Sequence, residues 1–143
     1  MNFMCIDPGE TSGIAIVYEG KLSLGSIPLD ACIPYISDYK PEFILVESRP
    51  RFHGWNDALV GSYAALQETT ELAGVPIIYI TPGLWKPIVK ALDWEVPLAK
   101  TQHEKDAYNI MRYFFFSHFK LDVGEDICQH LDIIKKFLSS EAG

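Results

Sequence analysis

The chain predicts an α/β fold: a mixed five-stranded sheet flanked by helices. Three observations carry this. Residues 3–6 and 43–46 are continuous apolar runs, the pattern of strands buried on both faces, and each stops on an acid, Asp7 and Glu47. Residues 13–18 and 21–27 read as strands joined by a tight Glu19-Gly20 turn, so the chain opens as an antiparallel meander. Beyond Glu47, helical and strand patterns alternate, which places helices against the sheet.

Pro8 and Gly9 break the first strand, leaving Asp7 at its end among small residues. After the third strand, Pro28 and Asp30 open a short helix to about Tyr39, with Ile33 and Ile36 inward, and Pro41 stops it. Residues 48–55 form a loop rich in Pro, Arg and aromatics. Asn56 or Asp57 caps a helix that runs to Leu72 or Ala73 and ends at Gly74; its Ala58, Gly61, Ala64 and Ala65 permit close packing. Residues 75–80 read as another buried strand, Thr81-Pro82-Gly83 as a turn, and 84–92 as a short helix kinked or begun at Pro87. Residues 93–99 are irregular. Thr101 caps a long helix over 102–119, and Gly124 precedes a last amphipathic helix with Ile127, Leu131, Ile134 and Leu138 at helical spacing.

A chain of 143 residues suits one domain spanning its whole length, 1–143. Its longest apolar runs are far too short for a bilayer, and no basic-apolar-small pattern opens it, so neither a membrane segment nor a signal peptide is expected. Cys5, Cys32 and Cys128 are odd in number and lack metal-ligand spacing; buried free thiols in a reducing, cytoplasmic compartment account for them. The net charge of −7 argues mildly against a nucleic-acid partner. Distribution tempers the sum: Arg49, Arg51, Lys86, Lys90, Lys100 and Lys105 fall mid-chain, while Asp122, Glu125, Asp126, Asp132 and Glu141 crowd the tail. Acids held on metal ions also cease to count as free charge.

Two strand-end acids at matching heights would be neighbours. Paired carboxylates repel unless a cation lies between them or one is protonated, and oxygen ligands of this kind suit Mg²⁺ or Mn²⁺. His103 and Asp106, three apart on the long helix, face one side, while Glu104 and Lys105 point elsewhere and Ala107 is small enough for the helix to approach the sheet. Asp7, Glu47, His103 and Asp106 thus form a candidate cage for two metals, which about 4 Å apart can activate a water and clamp a phosphodiester. Each residue has a plainer role open to it. Asp7 can cap a hairpin, Glu47 can pair with Arg49, and His103 and Asp106 can be solvated residues of a first helical turn. The coincidence of all four favours a site.

These residues resemble the RuvC family of Holliday junction resolvases, within the RNase H-like superfamily. Ile6-Asp7-Pro8-Gly9 with Thr11, Ser12 and Gly13 is similar to the family's opening motif, and Val46-Glu47-Ser48 to its second acidic strand end. Ala58-Leu59-Val60-Gly61 is similar to its helix after a mobile loop, Tyr79 with Pro82 and Lys86 to its next strand and turn, and His103-Glu104-Lys105-Asp106-Ala107 to its last metal-binding helix. The resemblance implies an RNase H-like sheet and a hydrolase of DNA recombination and repair. It implies a homodimer in which two active sites make paired nicks in four-way DNA, in a bacterial or phage-infected cell. Asp7, Glu47, His103 and Asp106 would carry two Mg²⁺ or Mn²⁺ ions per site, with Asp7 bridging; His103 would alternatively move a proton of the attacking water. The short span between Lys86–Leu92 and the last helix resembles compact phage-type members and implies broader cutting of branched DNA.

In the loop after Glu47, Arg49 and Arg51 would hold phosphates, and Phe52 and Trp55 would stack on an unpaired base. Trp55 can instead staple the loop to the following helix. Lys86, Lys90, Lys100 and Lys105 would add backbone contacts or simply be solvated on helix surfaces, whereas Phe114, Phe115, Phe116 and Phe119 suit core and dimer packing. Three other readings compete. One is an RNA-processing nuclease of the same superfamily, and one a non-catalytic module that binds branched nucleic acid or a protein. The third, a sugar-kinase or actin-like nucleotide binder, needs two such domains.

Overall fold

In the computed structural model, which describes residues 1–48 and 54–142, the first apolar run is β1 (Phe3–Asp7), at the centre of a five-stranded sheet. β2 (Ser12–Tyr18) and β3 (Lys21–Ile27) follow it antiparallel, while β4 (Ile44–Glu47) and β5 (Ile77–Ile80) add parallel on the other side. The order is β3-β2-β1-β4-β5. Glu19 and Gly20 both take positive φ, 49° and 79°, the backbone of a tight hairpin turn that matches strand twist.

Every residue of β1 and β4 is buried, because each strand is covered on both faces. Phe3, Cys5, Ala15, Val17 and Leu45 face one core, and Met4, Ile6, Ile14, Ile16, Ile44 and Val46 face the other. α1 (Leu29–Tyr39) and α2 (Asp57–Leu72) close the second core, with Leu29, Cys32 and Ile36 inward from α1 and Leu59, Tyr63 and Leu66 from α2. Ile33 lies half-buried beside Cys32, the residue at the inner helical position. Asn56 caps α2, its Oδ1 accepting from the Leu59 amide at 2.8 Å, and Gly74 leaves the helix at φ 72°.

The first core is closed by α4 (Gln102–Phe119), which lies across β1, β2 and β3. α3 (Pro82–Ala91) packs on α4, and α5 (Leu131–Ala142) completes the layer with Ile134. Phe3 stacks on Phe43 at 5.0 Å and meets the edge of Phe115, and a buried Phe of this kind stabilises the fold by about 1.5–3 kcal/mol. Arg112 grips Asp122 through two hydrogen bonds, of 2.7 and 3.0 Å, and lies 4.1 Å over the Trp94 ring, fastening the irregular 92–100 stretch to α4.

Three expectations change. The last strand begins at Ile77 and is half-buried rather than buried, because it is an edge with β4 as its hydrogen-bonded neighbour. α3 begins at Pro82, two residues early, since a proline at the first helical position loses no intrahelical bond; Pro87 falls inside the helix and does not open it. The segment after Gly124 starts as a 3₁₀ turn, Ile127–His130, before α5.

Candidate functional site

The register of the parallel pair sets the first half of the site. Cys5 lies beside Leu45 and Ile6 beside Val46, so Asp7 falls beside Glu47 on adjacent strands, about 4.8 Å apart. Residues in register point to the same face, here the face that α4 covers. Both acids are buried, Asp7 at 7% exposure and Glu47 at 1%. The Cys5 thiol, two residues back on that face, senses both: burial pushes its pKa well up, and the negative charges of Asp7 and Glu47 push it further.

α4 supplies the second half. Thr101 caps it, its Oγ1 accepting from the Glu104 amide at 3.1 Å. The Thr101 hydroxyl also reaches Glu104 Oε2, and Ser26 on β3 lies 2.5 Å from Thr101 Oγ1, so the helix start is tied to the sheet. Glu104 is buried in this tie rather than solvated. Gly13, the partner of Asp7 in the hairpin, lets the first turn of α4 sit on β2: a Cβ there would stand 1.8 Å from the His103 carbonyl oxygen and 3.3 Å from Ala107 Cβ. Ser12 braces the hairpin loop, donating to the Gly9 carbonyl and accepting from the Gly9 amide.

The result is a cleft of about 440 Å³ lined by Asp7, Glu47, His103, Asp106, Trp55 and Lys86, among others. All four residues of the expected cage therefore border one space. Among the described residues, however, no three His, Cys, Asp or Glu side chains stand close enough to hold an ion as they are. His103 is exposed at the cleft wall, and the half-buried Asp106 accepts a 2.7 Å hydrogen bond from Gln102 Nε2 through Oδ1. The donor chemistry nonetheless fits a hard divalent cation: two buried carboxylates side by side, opposite a third carboxylate and an imidazole on a solvent-facing helical turn.

Trp55 is half-buried in the cleft and packs edge-to-face on Tyr63 of α2 at 5.6 Å, so it is both wall and staple. Lys86 is exposed at the rim, 5.7 Å over the Trp85 ring. Lys100 and Lys105 do not line the cleft. Arg49, Arg51 and Phe52 lie outside the described residues. Phe114 and Phe115 are core, as expected. A larger cavity, about 560 Å³, lies between the β2–β3 turn and the segment around Asp126, at the far end of the strands, and holds none of the expected residues.

The sequence reading missed Trp85. It is 2% exposed and its Nε1–H donates to Glu47 Oε2 at 2.7 Å. The hint available was general: a tryptophan destined for a core needs an acceptor for its N–H. Which acceptor is a matter of how α3 docks.

No protein-family model and no curated protein matches the chain by sequence. Solved structures do match by shape. RuvC of T. thermophilus in complex with Holliday junction substrate superposes with a TM-score of 0.57 and 18% identity, over 82% of this chain and 95% of that one. The Thermus thermophilus RuvC structure gives a TM-score of 0.54, again at 18% identity, over 82% and 96%. At that identity the likeness shows architecture: this chain has the fold of RuvC, a mixed five-stranded sheet flanked by helices.

Proposed function

We propose that the chain is a metal-dependent endonuclease that nicks four-way (Holliday) and other branched DNA as a homodimer, each protomer a single catalytic domain. One observation carries this reading: on a fold shared with RuvC, Asp7, Glu47, His103 and Asp106 border one cleft at the ends of two central strands.

In this reading Asp7 and Glu47 provide the oxygen ligands, and Asp106 and His103 complete the set by turning from the cleft wall. Rotation of two surface side chains is a small cost beside moving a strand. Held by these residues, a pair of Mg²⁺ or Mn²⁺ ions would supply water activation and stabilisation of the departing oxygen. The His103 ring can hold or relay a proton of that water. Lys86 at the rim neutralises a phosphate, and Trp55 offers an aromatic wall to an unpaired base. The small residues Ala58, Gly61, Ala64 and Ala65 lie on the exposed side of α2, open to a second copy.

The test is a gel assay with a labelled four-way junction, a fork and a linear duplex, each with Mg²⁺, Mn²⁺ or excess EDTA. Paired, metal-dependent nicks in the branched substrates are expected. Cutting in EDTA, or cutting of structured RNA in place of DNA, refutes the proposal. A monomeric mass at micromolar concentration refutes paired nicking.

A further inference from the structure

The Trp85–Glu47 hydrogen bond joins α3 to the acid pair. We infer that Trp85 is a positioning residue that orients the Glu47 carboxylate for a divalent cation, an inference that rests on the metal-site reading above.

Glu47 is held at the end of a strand with 1% exposure, where water does little to fix or solvate its carboxylate. The indole N–H donates to Oε2 at 2.7 Å, and the indole is itself immobilised at 2% exposure between sheet and α4. A charge-assisted bond from a rigid donor selects one rotamer and one plane for the carboxylate. Pro82 at the first position of α3 sets the helix start, and with it the height at which Trp85 meets Glu47. The next residue, Lys86, reaches the cleft rim, so one turn of α3 presents a neutral donor to the buried acid and a cation to the opening. A carboxylate that swings must be ordered again on binding an ion; one already held is not. Groups that hold metal ligands from behind in this way typically change metal affinity by about 10–100-fold when removed.

The experiment is calorimetric titration of the full chain with Mn²⁺, using wild type, Trp85→Phe and Glu47→Gln. Phe keeps an aromatic ring and removes the N–H. Trp85→Phe is expected to weaken Mn²⁺ binding by about 10–100-fold and to raise the Mn²⁺ concentration that half-saturates cutting by the same factor. At saturating Mn²⁺ its cutting rate returns close to wild type, a split that a general loss of structure would not produce. In wild type, Mg²⁺ should shift the Trp85 indole N–H resonance, and Glu47→Gln should shift it without metal; this readout needs no folded Trp85 variant. Equal Mn²⁺ affinity in wild type and Trp85→Phe, or an indole resonance unmoved while Mg²⁺ binds, overturns the positioning role and leaves the metal site standing. A wild type that binds no Mn²⁺ overturns the metal site, and this inference with it.

Discussion

Gly13 of β2 lies directly beneath His103 of α4: a Cβ on Gly13 would come within 1.8 Å of the His103 carbonyl oxygen. The contact is backbone on backbone, so no side-chain rotation relieves it. The same glycine pairs with Asp7 across the hairpin. One small residue therefore sets the distance between the strand that carries Asp7 and the helix that carries His103 and Asp106.

Gly13→Ala should accordingly lift the start of α4. Overpacking of this kind costs about 1–3 kcal/mol, and thermal unfolding should fall by about 2–4 °C per kcal/mol for a chain of this size. Metal-dependent cutting should be lost to a greater extent than stability. A variant with wild-type Tm and rate would show that α4 does not need this approach.

Asp7→Asn removes one of two buried like charges. Asn keeps the shape of Asp, so without metal the two proteins should melt close together. With Mg²⁺ wild type should melt higher, because only wild type gains stability from the bound ion. Cutting should vanish while binding of branched DNA survives. Thermal melts with and without Mg²⁺ decide it; a metal-dependent gain retained in Asp7→Asn would remove Asp7 from the ligand set.

Lys86→Ala should weaken binding to branched DNA and reduce the slope of log affinity against log salt by about 1. Lys100→Ala, exposed and outside the cleft, should change the slope less. A salt titration of both variants measures this, and equal slopes would place the DNA path away from the Lys86 rim.

Asp122 governs part of the acid stability. Its hydrogen bonds from Arg112, chiefly, hold its pKa below the usual 3.8. The unfolded chain therefore takes up the proton first as pH falls, and the stabilisation, complete above the unfolded pKa, is lost as pH drops through the folded value. Wild type should melt above Asp122→Asn at pH 6, and the margin should close below about pH 4. A margin independent of pH would contradict this.

Part of the formal acidity of the chain lies off the open surface. Asp7 and Glu47 are turned inward toward the cleft, and Asp122 is spent on Arg112. The net charge of −7 therefore overstates the open acidic surface by the two buried acids, Asp7 and Glu47.

The amino-acid sequence by itself determined most of the strands and helices, the burial of the two central strands and the acids at their ends. Those properties are local: a continuous apolar run followed by a turn reads the same wherever the strand lies in the sheet. Thr101 as a cap and Ala107 as a contact residue were legible for the same reason. Only the tertiary structure decided that β1 and β4 are neighbours in the register that sets Asp7 beside Glu47, and that Gly13 admits the His103 backbone. It alone decided that the Trp85 N–H finds Glu47 and that Glu104 is buried against Ser26. Each of these joins residues far apart in the chain, and such pairs are selected by how whole elements pack, a choice that no short stretch of sequence contains.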